Sequence, residues 1–254
     1  MARMSIFMSC YENFAQLYDK LMDEVDYNEW ANYLKRIIEE FNSDANHILD
    51  LACGTGNITI PMSTLGYNLW GVDISEEMLS IAENKARIFG QNIRFIKQDM
   101  RNLNLTKTFD VVTCGCDGVN YITREYELEK VFNDIFRILN PRGIFIFDIS
   151  SFYKLKHVLG NNTFVEEKNG IFYCWENEFN IESSIVTMRL NFFVLDGKIY
   201  RRIEEIHNQK AYKTDEIYHM LSKSGFTNIE IFDEFTFSKP NDKSERIFFV
   251  AKKL

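Results

Sequence analysis

Short apolar runs alternate with segments of helical pattern along the first part of the chain. Each run has the length of a strand, and between the runs the apolar residues recur every three or four positions, as on one face of a helix. The predicted strands are His47–Leu51, Tyr67–Val72, Ile93–Lys97, Phe109–Cys114 and Ile144–Ile149. Strands that alternate with helices predict an α/β fold, with a parallel sheet between two layers of helices.

Helices are predicted before the first strand and between the strands. Ahead of the first strand, one helical face is formed by Trp30, Leu34, Ile37, Ile38 and Phe41. The next helix is predicted over Asn57–Leu65, and another begins at Ser75 and ends at Gly90. The predicted inner face of the Ser75 helix consists of Met78, Ala82, Ala86 and Phe89.

The helical pattern stops after the fifth strand. Between Thr163 and His207, apolar and polar residues alternate as they do in antiparallel strands with one buried face. The predicted strands are Ile171–Phe179, Ile185–Leu195 and Lys198–His207. Asp196 and Gly197 are predicted to form a hairpin turn between the last two. A helix capped by Thr214 follows, and the strands Asn228–Thr236 and Glu245–Lys252 are predicted to finish the main sheet as an antiparallel pair.

Candidate chemistry begins where the first strand ends, in the sequence Asp-Leu-Ala-Cys-Gly-Thr-Gly at residues 50–56. The small residues Ala52, Gly54 and Gly56 let a ligand approach the backbone, and the following helix offers free N–H groups. Asp73 ends the second strand, at a distance along the chain where a carboxylate can accept both hydroxyls of a ribose. These features predict a nucleoside site.

The spacing of the glycines disfavours a dinucleotide. A dinucleotide fingerprint that starts at Gly54 requires a glycine where Thr59 stands. Asp50 lies inside the motif and would repel a pyrophosphate, but it suits the cationic amino-acid end of S-adenosylmethionine.

The motif and the order of the elements resemble the class I S-adenosylmethionine-dependent methyltransferases, in particular those that methylate glycine and deoxysugars at nitrogen. The resemblance implies a Rossmann-like, doubly wound sheet of seven strands whose last strand is antiparallel, with S-adenosylmethionine as the cofactor. It places Asp99 on the adenine amine and Met100 on the ring. The implied cofactor-binding residues are Tyr18, Asp50, Ala52, Cys53, Gly54, Gly56, Asp73, Ile74, Met78, Asp99, Met100 and Cys116.

Four regions are expected from the pattern and the resemblance together. Residues 1–46 form an N-terminal helical segment, and residues 47–150 form the cofactor-binding core. Residues 151–213 form a small antiparallel β insertion, which in the resembling enzymes covers the pocket. Residues 214–254 complete the core. The insertion is expected to act as a substrate lid, and a surface for a homodimer is its alternative role.

The methyl acceptor is expected to meet the loop after the fourth strand, because open α/β sheets bind ligands at the carboxyl ends of their strands. Asp117 and Tyr121 are the predicted acceptor-binding residues. His207 is the candidate base, and a solvated histidine at the end of a strand is the alternative. A neutral amine attacks without a strong base, whereas a hydroxyl usually needs one. A methyltransferase for RNA or protein and a sensor without turnover remain open.

Composition narrows these alternatives. The net charge is −8 and the chain has no dense stripe of lysine and arginine, which disfavours a nucleic acid partner. No apolar run reaches the roughly 18 residues that a membrane-spanning helix needs. Five cysteines without paired spacing predict a reducing cytoplasm. No metal site is predicted, because Cys114 and Cys116 lack further ligands at zinc-site spacing.

Overall fold

The computed structural model describes residue 15 and residues 17–168 and 170–254. A short segment, residues 17–21, is helical and precedes five helices. These are α1 (Tyr27–Phe41), α2 (Thr59–Thr64), α3 (Glu76–Ile88), α4 (Glu125–Ile138) and α5 (Thr214–Lys223). Turns of 3₁₀ helix lie at Met100–Asn102 and Gly118–Tyr121, and a turn of π-helix lies at Lys154–Leu159.

Eleven strands form two sheets among the described residues. The strands of the larger sheet are β1 (His47–Leu51), β2 (Asn68–Asp73), β3 (Arg94–Lys97), β4 (Phe109–Cys114), β5 (Leu139–Ser150), β10 (Thr227–Asp233) and β11 (Arg246–Lys252). Those of the smaller sheet are β6 (Thr163–Lys168), β7 (Ile171–Asn180), β8 (Ile185–Asp196) and β9 (Ile199–Lys210).

The larger sheet has the order β10-β11-β5-β4-β1-β2-β3. Strands β1 to β5 pair in parallel, and β11 runs antiparallel to both of its neighbours. The strand order reverses at β1, which pairs with β2 on one side and β4 on the other. Open α/β sheets bind ligands at such a switch point. The predicted α/β class, the seven strands, the antiparallel last strand and the separate β insertion are confirmed.

Helices cover both faces of this sheet because each presents one apolar side. On one face, Trp30, Leu34 and Ile37 of α1 are buried against Ile48 of β1 and Phe248 of β11. The other face is covered by α4 and α5, whose apolar side chains join the phenylalanines of β5 and β11 in the largest apolar cluster. Full burial of one such side chain stabilises the fold by about 1.5–3 kcal/mol. The packed core holds the carboxyl ends of β1, β2 and β4 in fixed positions.

Some predicted boundaries are wrong. Helix α2 covers only Thr59–Thr64, because the chain turns through residues 52–58 before it becomes helical. Phe89, predicted on an inner face, is 63% exposed, while Leu79 is buried. The reason is that α3 ends at Ile88, so the helical phase does not extend to Phe89.

The smaller sheet has the order β6-β7-β8-β9, all antiparallel. The predicted split into a buried and an exposed face is confirmed: Phe192 is 2% exposed, whereas Tyr200 on the other face is 57% exposed. The turn lies one residue later than predicted, at residues 197–198. Strand β9 continues to Lys210, so His207 lies inside the strand and not at its end.

No helix among the described residues is long and apolar enough to cross a membrane.

Candidate active site

The turn after β1 bends through left-handed backbone at Ala52, Gly54 and Gly56, with φ of 52°, 54° and 77°. The two glycines serve different purposes. A Cβ at position 56 would lie 3.2 Å from the Cβ of Ala82, so Gly56 lets α3 pack closely against the turn. A Cβ at position 54 would meet nothing within 4 Å, so Gly54 leaves the surface beside the turn open. For Ala52 this backbone is uncommon, and uncommon backbone is concentrated at functional sites.

Asp73 holds this turn against the end of β2. Its Oδ2 accepts a hydrogen bond of 2.8 Å from the Gly54 amide, and its Oδ1 accepts one of 2.8 Å from the Ser75 amide. Burial raises the pKa of Asp73, and these backbone hydrogen bonds oppose that rise. Each carboxylate oxygen has a second lone pair, so Asp73 can still accept two hydroxyls of a ligand.

A cavity of about 190 Å³ opens beside Asp73. Its lining residues are Ala52, Val72, Asp73, Ile74, Gln98, Asp99, Met100, Arg101, Tyr121 and Ile122. Five predicted cofactor residues thus meet at one cavity: Ala52, Asp73, Ile74, Asp99 and Met100. Asp99 is also bound by the Arg101 side chain, with Nη2 2.6 Å from Oδ2, and this ion pair lowers the pKa of Asp99.

A second cavity, of about 50 Å³, shares Ala52 with the first. It is lined by Tyr18, Tyr27, Asp50, Ala52, Cys53, Gly54, Thr55, Asn57, Ile58, Gly115 and Cys116. It therefore brings together the predicted residues of the turn, Tyr18 and Cys116. Two other predicted cofactor residues, Gly56 and Met78, line neither cavity.

Asp50 is 3% exposed, and threonine hydroxyls hold both of its oxygens. Thr59 donates to Oδ2 at 2.6 Å and Thr113 donates to Oδ1 at 2.8 Å. Burial raises the pKa of Asp50 to about 6 in spite of these hydrogen bonds. Asp50 thus joins β1, α2 and β4 below the turn, and its predicted contact with the cofactor stays a prediction.

Five lining residues of the second cavity are not predicted from the sequence, and Tyr27 and Asn57 are two of them. The Tyr27 hydroxyl is buried and lies beside the side chains of Tyr18 and Asn57. Burial raises its pKa to about 12, so it stays protonated and can donate to a ligand. Asn57, beside the turn, also lines this cavity. The sequence around Tyr27 does not indicate a binding role, because aromatic residues in a helical pattern are usually part of the core.

Asp19 fastens the N-terminal helical residues to the turn. Its Oδ1 accepts from Thr55 Oγ1 at 2.6 Å and from Asn57 Nδ2 at 2.9 Å, and its Oδ2 lies 3.0 Å from Lys85 Nζ. This network holds Tyr18, the neighbour of Asp19, at the second cavity. The sequence gives no sign of the link, because its members are widely separated along the chain.

The loop after β4 is also bent, with φ of 53° at both Cys116 and Asp117. Such backbone costs of the order of 1–3 kcal/mol per residue and persists only where its surroundings hold it. Here the Asp117 amide donates to Asp148 Oδ2 at 2.9 Å. Burial raises the pKa of the Cys116 thiol well above its ordinary value, so the thiol stays protonated.

The Asp117 carboxylate joins the two sheets. Gln209 of β9 donates to its Oδ2 at 2.6 Å, and Arg246 of β11 donates to its Oδ1 at 3.1 Å. Arg246 also forms an ion pair with the fully buried Asp148. Both Asp117 oxygens therefore have protein partners, and the predicted contact of Asp117 with an acceptor stays a prediction. Neither Gln209 nor Arg246 is predicted from the sequence as a site residue, although Gln209 lies on the same face of β9 as His207.

Tyr121 and His207, predicted independently, are in contact. The Tyr121 hydroxyl lies 3.3 Å from His207 Nδ1, and the two rings meet edge to face with centroids 5.7 Å apart. Burial lowers the pKa of His207 below 6.5, so its imidazole is mostly neutral at pH 7. When Nδ1–H donates to Tyr121, Nε2 retains a lone pair that can accept a proton.

No cluster of three or more histidine, cysteine or acidic residues suited to a metal ion occurs in the described part of the chain.

Comparison with known proteins points to one chemistry. A family profile described as a methyltransferase domain matches residues 48–143. The chain is also 38% identical over 246 residues to a protein of Geobacillus sp. (strain WCH70) that carries a provisional methyltransferase name. That alignment covers 96% of this chain and 99% of the relative.

Two solved structures have the same fold. An S-adenosylmethionine-dependent methyltransferase from Clostridium acetobutylicum is 42% identical, with a TM-score of 0.88 over 96% of this chain and 99% of that one. An amino pentose methyltransferase from Micromonospora echinaspora, solved with S-adenosylmethionine bound, has a TM-score of 0.76 over 95% and 96% of the two chains. At 18% identity, this second structure shows only that the two chains share a fold.

The described residues fit S-adenosylmethionine. Asp73 has acceptor capacity for a ribose, and Gly54 leaves the backbone of the turn open. The second cavity offers polar groups suited to the amino-acid end of the cofactor, the buried Tyr27 hydroxyl and the side chains of Tyr18 and Asn57 beside it. With its sequence relatives, its fold and this site, the chain belongs to the class I S-adenosylmethionine-dependent methyltransferases, enzymes whose methyl donor is S-adenosylmethionine.

Proposed function

We propose that this methyltransferase acts on a nitrogen or oxygen atom of a small molecule that binds between the two sheets. The observation that carries the proposal is the contact between Tyr121 and His207. Tyr121 lines the larger cavity, and His207 belongs to the smaller sheet. The contact therefore supports a role of the smaller sheet as a cover over the site of transfer, where it would exclude water from a small acceptor.

We assign the two cavities to the two ends of the cofactor. Asp73 binds the ribose hydroxyls, and Asp99 and Met100 bind the adenine, with Ile74 beside them. The turn from Ala52 to Gly54, together with Tyr18 and Cys116, binds the amino-acid end. When bound, S-adenosylmethionine supplies a methyl group already activated on a positively charged sulfur. The work left to the protein is to hold an acceptor in line with that methyl group.

The acceptor side is assigned to His207, Tyr121 and Asp117. His207, neutral at pH 7, accepts the proton that a hydroxyl loses as it attacks, or that an ammonium group must lose before the neutral amine can attack. Tyr121 orients the imidazole through its hydroxyl. Asp117 fixes the loop by its hydrogen bonds to Gln209 and Arg246. The remaining lone pairs of its carboxylate oxygens face the methyl acceptor.

Incubation with methyl-labelled S-adenosylmethionine tests this proposal. An extract of cells of the source organism that lack the gene is separated into small-molecule, RNA and protein fractions, and each is incubated with the purified enzyme. We expect label in the small-molecule fraction. Label in RNA or protein would replace the proposal by a macromolecular substrate, and binding of the cofactor without transfer to any fraction would favour a sensor.

Loss of the Asp73 carboxylate should weaken cofactor binding. We expect Asp73→Ala to lower the affinity for S-adenosylmethionine by about 10- to 150-fold, since a hydrogen bond to a charged group contributes about 1.5–3 kcal/mol. Calorimetric titration measures this, and NAD should give no heat with the wild type. Glu76→Gln is the control, because Glu76 is exposed and, among the residues that the structure describes, its carboxylate is bound only to Lys97. Equal affinity in Asp73→Ala and wild type would remove Asp73 from the site.

We also propose that the enzyme acts in the cytoplasm. The described cysteines, Cys53, Cys114, Cys116 and Cys174, are all free, which suits a reducing compartment. A homodimer through the exposed face of the smaller sheet stays a prediction.

A further inference from the structure

Three polar side chains lie in a row on the inner face of β9. Glu205, His207 and Gln209 occupy alternate positions of the strand, so their side chains point to the same face. Gln209 reaches Asp117, and His207 reaches Tyr121. Two members of the row thus touch the loop that follows β4. Glu205 is the third member, one step further from that loop.

The surroundings of Glu205 are apolar. It pairs in register with Leu190 of β8, which pairs with Trp175 of β7. Beyond it on the same face lies Ile203, which packs with Leu17 and other apolar residues of a separate cluster. Burial alone raises the pKa of Glu205. Among the described residues no hydrogen-bond donor or cation is bonded to its carboxylate.

Glu205 is half-buried, so its carboxylate has lost part of its water and a neighbouring cation would stabilise it. Partial removal of a carboxylate from water costs free energy that a neighbouring positive charge offsets. Other acidic residues of β9 show the usual arrangement: Glu204, on the outer face, lies 3.0 Å from Arg202. The ring of Trp175, two strands away on the same inner face, adds an aromatic surface of the kind that attracts cations. An unexplained charge on the face that meets the active-site loop indicates a ligand.

We propose that Glu205 binds a positively charged group of the methyl acceptor, and that this group is distinct from the atom that is methylated. Two residues along a strand separate their Cα atoms by about 6.6 Å. With the reacting atom at His207, the charged group therefore lies about 6–7 Å away from it. The inference rests on the proposed function and narrows it to a small cationic acceptor, such as a compound with an amine or guanidine group.

Charge fractionation tests this inference. The small molecules from cells that lack the gene are separated by ion exchange at pH 7 into cationic, neutral and anionic fractions. Each fraction is then incubated with labelled S-adenosylmethionine and the wild-type enzyme. We expect label in the cationic fraction. Label in the neutral or anionic fraction alone would overturn the role of Glu205 while leaving the proposed function intact. No label in any fraction would overturn both.

Substitution of Glu205 provides the second test, with the unmethylated acceptor purified from the fraction that takes up label as substrate. Glu205→Gln keeps the shape of the side chain and removes its charge, so we expect kcat/KM to fall by about 10- to 150-fold, mainly through KM. Affinity for S-adenosylmethionine should not change. Glu205→Asp should recover part of the loss, and Glu204→Gln, which removes a charge from the outer face, should match the wild type. Wild-type kinetics in Glu205→Gln would overturn the inference.

Discussion

Replacement of His207 by alanine should lower the rate of methyl transfer by about 10²–10⁴-fold, the range expected when a general base is lost. The affinity for S-adenosylmethionine should stay near that of the wild type, because His207 lines neither cavity assigned to the cofactor. Single-turnover transfer of the labelled methyl group and calorimetric titration of the cofactor measure the two quantities separately.

The pH profile distinguishes a base from a side chain that only fills space. Burial lowers the pKa of His207, so the wild-type rate should rise as pH increases through a value below 6.5 and then level off. His207→Ala should lack this rise. His219→Ala is the matched control, because His219 is exposed on α5 and lines neither cavity. Full activity in His207→Ala, or a rise with pH that survives the substitution, would contradict the role of a base.

Substitutions on the outer face of the smaller sheet test the alternative that this sheet forms a homodimer interface. Phe172 and Tyr200 point away from His207 and are 38% and 57% exposed. If this face joins two copies of the chain, polar substitutions there should shift the oligomeric state in analytical ultracentrifugation. If the sheet serves only as a cover, the same substitutions should leave both mass and transfer unchanged.

Much of the core could be predicted because its signals are local. Strands of five or six mostly apolar residues, such as β1 and β4, indicate a buried parallel sheet by themselves. The turn at residues 50–56 and the carboxylate of Asp73 are also predicted from short segments, and the structure joins them by the hydrogen bond from the Gly54 amide to Asp73. The helical periodicity, by contrast, does not continue past the end of a helix. The prediction that Phe89 lies on an inner face is wrong for this reason, because α3 ends at Ile88.

The parts of the site that could not be predicted depend on pairs remote in sequence. Asp19 meets Thr55 across 36 positions, and Arg246 meets Asp117 across 129. The strand order places β11 beside β5, and the contacts of Asp19 place residues 17–21 beside the turn. A single sequence contains each residue but not the register that joins them. The contact of Tyr121 with His207 could be anticipated from the sequence only because each residue was separately predicted to lie at the acceptor site.

Arg246 shows how strongly such a remote group can stabilise the fold. Its side chain is 13% exposed, pairs with Asp148 and Asp117, and lies over the ring of Trp30 at 5.2 Å. Arg246→Met keeps much of the volume but leaves the buried Asp148 without its cation. Loss of one partner of a buried ion pair typically costs about 3–5 kcal/mol. We expect a decrease of that size in the free energy of unfolding at pH 8.

The decrease should be smaller at pH 5. Burial already raises the pKa of Asp148 to about 6, above the value of about 3.9 in an unfolded chain, and Arg246 is the main group that opposes the rise. Without Arg246 the folded state should hold the proton more tightly, so the cost of Arg246→Met should grow as pH rises through 6 and diminish below it.

Urea denaturation at pH 5 and pH 8 checks both the size and the sign of this effect. Adding Asp148→Asn to Arg246→Met should restore part of the stability at pH 8, because no buried charge then remains at position 148. Arg189→Met is the control: Arg189 lies 3.9 Å from Glu178 on the surface, and such pairs contribute about 0–1 kcal/mol. An equal loss at the two pH values would show that Arg246 stabilises the fold by packing on Trp30 and not by neutralising Asp148.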